Sequence, residues 1–196
     1  MSHMTDIFKG ACSPAAIIGS AAMWAWWDLA FYSGIYLSWN DSSVSFIVPT
    51  FIVSMIFSGA TLGITALKAP LLRMLVYDNR RMLVACSAAS VIASAFTIAG
   101  GALALPLLSI FGLALCGIEL GILQAAWGRI WSENGARSAI TTVSCAIAIG
   151  ILFDTFAYTA FKPFAAAICA CMLPCISTAL LLYCSTHVVD KDVFEK

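Results

Sequence analysis

Three carboxylates stand inside long apolar runs: Asp28, Glu119 and Asp154. Ionisable groups at membrane depth are costly and are functional candidates by default. No lysine or arginine lies deep in the same runs. The acids must therefore be protonated, face water or bind a cation. At about 100° per residue, Trp24, Asp28, Phe31 and Ile35 fall on one helical face, with Tyr32 at its edge. A carboxylate among aromatic rings suits an organic cation, through charge pairing and cation–π contact. The competing reading makes the aromatics an interfacial belt and gives Asp28 a bond to a neighbouring helix. In a helix starting at Pro14, Asp28 lies roughly 21 Å along the axis, in the half where such a belt would begin.

Glu119 stands on a run in which Gly117, Gly121, Gln124 and Gly128 form a narrow stripe on one face. Small residues at four-residue spacing let helices approach closely. Glu119 points almost directly away from that stripe, toward a cavity or a second helix. Asp154 lies near the far end of its run, where partial solvation is the simplest account of its charge. Small polar stripes recur elsewhere: Ser54, Ser58, Thr61 and Thr65 with Gly59 and Gly63 on another face; Ser87, Ser90, Ser94 and Thr97; Thr141, Ser144, Thr155 and Thr159. Each marks a helix contact or a wetted path.

Catalytic chemistry is poorly supplied. The two histidines, His3 and His187, lie near the termini. No zinc-protease, nucleophile-elbow or phosphate-loop motif is present, and the expected class is non-enzymatic, with no cofactor. Cys171 and Cys175, one helical turn apart, could face a metal. The competing reading treats all eight cysteines as small apolar packing residues, and no metal is expected. None lies in a loop read as extracytoplasmic, so a disulfide framework is not expected either.

The elements that must carry these groups follow from composition. Of 196 residues, 62% are hydrophobic and 10% charged, and the mean hydropathy is +0.97. A soluble domain carries about a quarter charged residues. The composition excludes a soluble enzyme, a disordered segment and a nucleic-acid binder with a basic face. Six runs are long enough to cross roughly 30 Å of hydrocarbon. They lie near 14–37, 45–67, 82–98, 103–131, 138–161 and 163–185. Loops are expected at Trp39–Ser43, at Lys68–Arg81, at Ser132–Gly135 and at Lys162-Pro163, with Gly100-Gly101 breaking the chain between the third and fourth runs. Pro174 is expected to kink the sixth. The first run carries Asp28 and lacks a clear cleavage site, so it reads as a retained helix, not a signal peptide.

Threading these runs puts nine of the ten basic residues on one side: Lys9, Lys68, Arg73, Arg80, Arg81, Arg129, Arg137, Lys191 and Lys196, against Lys162 alone. The positive-inside rule then places both termini in the cytoplasm of a plasma-membrane protein.

Six spans with both ends inside and a basic loop after the second resemble one half of a major facilitator superfamily transporter. That family's loop motif is echoed by Asp78 and Arg80-Arg81 in Val76-Tyr77-Asp78-Asn79-Arg80-Arg81, with compressed spacing and without its glycines. The chain also resembles the facilitator-like membrane sensor region of LuxR-type transcriptional regulators. Met23-Trp24-Ala25-Trp26-Trp27, Gly117-Ile118-Glu119-Leu120-Gly121 and Trp127-Gly128-Arg129-Ile130-Trp131-Ser132 carry that likeness. The second six-helix half and the helix-turn-helix domain are missing. Only 11 residues follow Ser185, so direct nucleic-acid binding by this chain is not expected. The resemblance implies a 3+3 inverted repeat, although residues 1–100 and 101–196 share no visible similarity. It also places Asp28, Glu119 and Asp154 on cavity-lining helices.

The fold expected is an all-α, single-domain, six-transmembrane-helix bundle of facilitator-half type. The leading function is a membrane module that binds a small cationic molecule through Asp28, Trp24, Phe31 and Tyr32, with Glu119 and Asp154 as further polar contacts, in a sensor. Two alternatives stand beside it. One is a half-size transporter acting as a homodimer or with a second six-helix half. The other is a structural subunit binding partner helices through Gly117, Gly121 and Gly128, or Gly59 and Gly63.

Overall fold

The computed structural model describes residues 13–29, 47–68, 79–103, 105–133, 135–161 and 163–187. They form six helices: α1 Pro14–Trp27, α2 Ile47–Leu67, α3 Arg80–Ala102, α4 Pro106–Glu133, α5 Ala136–Ala160 and α6 Pro163–His187. Four of them, α3 to α6, are long and apolar enough to cross a membrane. The described part of α1 has 14 residues and is extended by a π turn over 28–29. Its expected continuation to Leu37 lies outside the described residues, as do Phe31, Tyr32 and the loop at 39–43. α2 contributes a shorter apolar stretch, Ile52–Leu67.

Local chemistry sets the helix ends. Pro14 opens α1, where a missing N–H costs nothing because no intrahelical acceptor faces it. Asn79 caps α3: its side-chain oxygen accepts from the backbone N–H of Arg81 at 3.1 Å and of Met82 at 3.3 Å. Gly135, at φ 81°, makes the turn into α5.

One expectation is corrected. α3 does not break at Gly100-Gly101 but runs on to Ala102. These glycines read as a breaker, yet at Gly100 the missing side chain serves close packing: a Cβ there would collide with the backbone of Ser109 on α4. α6 carries Pro174, the residue expected to kink it, inside one continuous helix, where it is fully buried. A proline leaves one carbonyl of the preceding turn unbonded, and surrounding helices can make that tolerable.

The principal pairings are α2 with α4, α3 with α4, α1 with α5, α1 with α6, and α3 with α6. α2 and α4 run parallel, since Gly117 meets Ser54 and Phe57, and one turn on Gly121 meets Ser58 and Thr61. α3 and α4 run antiparallel: Gly112 meets Thr97, and Cys116 lies 3.9 Å from Ser94. α1 and α5 run parallel, with Gly150 against Trp24, Ala25 and the carbonyl of Ala21.

The interior is built from small residues and a few large rings. Ala25, Ala93, Ala146, Ala157 and Ala170 are buried alongside Met23, Trp26 and Trp127. Between helices in lipid, close van der Waals contact replaces the hydrophobic drive, and small side chains permit it. The outside is apolar as well: Ile56, Leu107, Ile140, Leu152 and Phe156 are more than half exposed. This is the surface expected of helices bathed in hydrocarbon.

Candidate functional site

Two carboxylates distant in sequence come together. Asp28, at the end of α1, and Asp154, on α5, are close enough for their charges to interact. The parallel packing of α1 on α5 brings this about. Trp24 precedes Asp28 by one turn and Gly150 precedes Asp154 by one turn, and Trp24 and Gly150 are in contact. With glycine at 150 the helices approach closely enough for the two acids to share one region. Both residues are half-buried. One carboxylate oxygen of Asp154, Oδ1, is buried and has no hydrogen-bond partner among the described residues. The indole N–H of Trp24 is buried without a partner in the same sense. Its ring lies 4.8 Å from that of Trp27, centroid to centroid, tilted by 39°. Leaving such groups unpaired costs on the order of 1–3 kcal/mol each.

Glu119 lies elsewhere, between α3, α4 and α6. Its carboxyl group is hydrogen-bonded with the thiol of Cys86. Both line a small pocket with Leu83, Ser87, Ser90, Ile122, Leu123 and Thr178. Gly117 and Gly121, on the opposite face of α4, meet α2 of the same chain. A partner helix would have to use another surface. Among the described residues, Gly59, Gly63 and Gly128 have open space where a Cβ would stand, so none of the three serves a close approach between the described helices.

The polar stripes divide by use. Ser54 and Ser58 are buried on α2 where α4 packs, and Ser94 and Thr97 on α3 where α4 packs. On α5, Thr155 and Thr159 are exposed and donate to carbonyls of their own helix, Ile151 at 2.8 Å and Thr155 at 2.9 Å.

A buried clamp joins three helices. Trp127 on α4 donates from Nε1 to Ser177 Oγ on α6 at 2.9 Å, and Ser177 Oγ donates to the Gly19 carbonyl on α1 at 2.8 Å. Beside it, Trp131 Nε1 donates to Ser20 Oγ at 3.1 Å. Cys86, Thr178, Gly150, Ser20 and Ser177 were not singled out by sequence as a group. The signal for Gly150 was its four-residue offset from Asp154, matching that of Trp24 from Asp28. Single serines in apolar helices carry no such signal.

The seven described cysteines are free thiols; Cys12 lies outside the described residues. Cys175 Sγ lies 3.9 Å from the carbonyl of Cys171, so this thiol turns to its own helix.

Comparison with protein-family models, with curated proteins and with solved structures found no match.

Proposed function

We propose that the chain is a six-span plasma-membrane module, both termini cytoplasmic, that binds a small organic cation between α1 and α5 in the manner of a facilitator-like sensor region. The observation that carries this reading is the contact of Gly150 with Trp24, which sets Asp154 and Asp28, each one turn further on, at the same α1–α5 seam. Two like charges in a medium of low dielectric repel strongly, and a cation between them would relieve that repulsion. The buried, unpaired Oδ1 of Asp154 offers such a cation an acceptor. The face of the Trp24 ring offers it a quadrupole.

Several features support the architecture. The parallel pairs join α1 with α5 and α2 with α4, and α3 runs opposite to α4, as a chain crossing alternately six times requires. The pairings also respect a 3+3 exchange. Swapping the first three helices for the last three turns α1–α5 into α4–α2 and α1–α6 into α4–α3, and returns α3–α6 to itself. An inverted repeat has this property. The nine-to-one division of basic residues supports the orientation.

The test is titration of the purified full chain in nanodiscs with benzyltrimethylammonium, read by tryptophan fluorescence. Saturable quenching is expected, with Kd raised at least about tenfold by Asp28→Asn, the loss of one charged contact. An unaltered Kd in that variant would remove Asp28 from the site.

A second reading, association with a partner helix, is favoured by the open Gly59/Gly63 face of α2. Gly59→Leu/Gly63→Leu would then release co-purifying membrane partners while leaving cation binding intact.

A further inference from the structure

We infer that the pocket between α3, α4 and α6 is a binding site for a single sodium-sized alkali cation, held by Glu119 with the hydroxyls of Ser87, Ser90 and Thr178. Four oxygen-bearing side chains on three helices are among the residues that line one small space. That space has room for about one water-sized sphere. Its remaining lining is Leu83, Ile122, Leu123 and the Cys86 thiol.

Charge decides the class of occupant. The lining contains one carboxylate and no lysine, arginine or histidine. The Cys86 thiol is a weak donor, and a carboxylate has acceptor capacity beyond the one bond it supplies. One monovalent cation balances one carboxylate, whereas a divalent ion would remain uncompensated in a low-dielectric interior. Among the described residues, no three His, Cys, Asp or Glu side chains come together, so a transition-metal set is not provided. Hard cations take oxygen ligands, which the hydroxyls supply. Ser90 donates its proton to the Cys86 carbonyl at 3.0 Å, which leaves its oxygen lone pairs to face the pocket. Thr178 is buried and brings a hydroxyl-bearing side chain to the lining from the α6 side. Occupancy would tie α6 to the α3–α4 pair through one ion.

This site is separate from the Asp28–Asp154 region, and the experiment keeps the two apart. The full chain in nanodiscs is unfolded thermally in sodium chloride and in caesium chloride, whose cation is too large for the pocket, at equal ionic strength. A saturable rise in Tm of about 5–10 °C with sodium is expected at a hundredfold excess over Kd. Glu119→Gln should abolish it. Thr178→Val, which keeps the shape and removes one oxygen, should raise the sodium Kd about tenfold. Asp28→Asn should leave the sodium response unchanged. Equal Tm in the two salts would overturn the assignment and leave a site for water alone. So would a sodium response that survives Glu119→Gln, or one that Asp28→Asn removes. Should Glu119→Gln not fold, an unchanged sodium Kd in Thr178→Val overturns it instead.

Discussion

Trp127 and Ser177, fifty residues apart in sequence, share a 2.9 Å hydrogen bond inside the bundle, and the same serine hydroxyl bonds the Gly19 carbonyl at 2.8 Å. One hydroxyl thus satisfies a donor on α4 and an acceptor on α1. Ser177→Ala leaves both without that partner in a buried place. The expected loss is about 1–3 kcal/mol of unfolding free energy, measured by denaturant titration in detergent micelles. A change below about 0.5 kcal/mol, the range of ordinary surface substitutions, would show that the clamp adds nothing to stability.

Gly19 is held to its size by the same clamp. A Cβ at this position would collide with the Trp127 ring and with Cβ of Leu180. Gly19→Ala should cost about 1–3 kcal/mol through overpacking. Gly59→Ala meets open space and should be neutral or stabilising by roughly 0.5–1 kcal/mol through helix propensity. Thermal unfolding of the pair checks this, and an equal loss in both would refute the packing account.

Gly121→Leu should unseat α2 from α4. Its side chain would enter the space of Ser58 and Thr61. A disulfide engineered between Ser58→Cys and Gly121→Cys should form readily in an otherwise cysteine-free chain, because these positions face one another. Failure of that bridge under oxidising conditions would place the two helices apart.

Asp28→Asn and Asp154→Asn should act on cation binding as a coupled pair. Residues in one electrostatic network show interaction energies of roughly 0.5–3 kcal/mol in a double-mutant cycle. Strict additivity in benzyltrimethylammonium titrations would mean that the two acids do not share a ligand.

Single cysteines at Arg80→Cys and Arg137→Cys should react with a membrane-impermeant thiol reagent only from the cytoplasmic side of the bilayer, and Lys162→Cys only from outside. Labelling of Arg80→Cys and Arg137→Cys from opposite sides would break the six-span threading.

The helices were readable because apolar runs separated by polar clusters leave little choice, and Ser132–Gly135 did end α4. Gly100 misled for a physical reason: glycine breaks a helix in water but permits close packing in a bundle, and sequence alone does not distinguish the two. The acids were legible as anomalies, since charge in an apolar run stands out. Their grouping was not. Asp28 was expected beside aromatic neighbours on its own helix, and the partner the fold supplies, Asp154, comes from α5. The offset of Glu119 from the glycine stripe is legible in the helical period, whereas Cys86 and Thr178 across from it depend on how α3 and α6 cross. No local pattern encodes that crossing.

Among the described residues, α2 has α4 as its principal neighbour, and Ile52, Met55, Ile56 and Leu67 are exposed. A rod hinged along a single edge can swing like a door without disturbing the frame. Were it to swing, Gly117 and Gly121 would be laid bare, while the contacts among the described residues that bring Asp28 to Asp154 and surround Glu119, none of which involve α2, would stay whole.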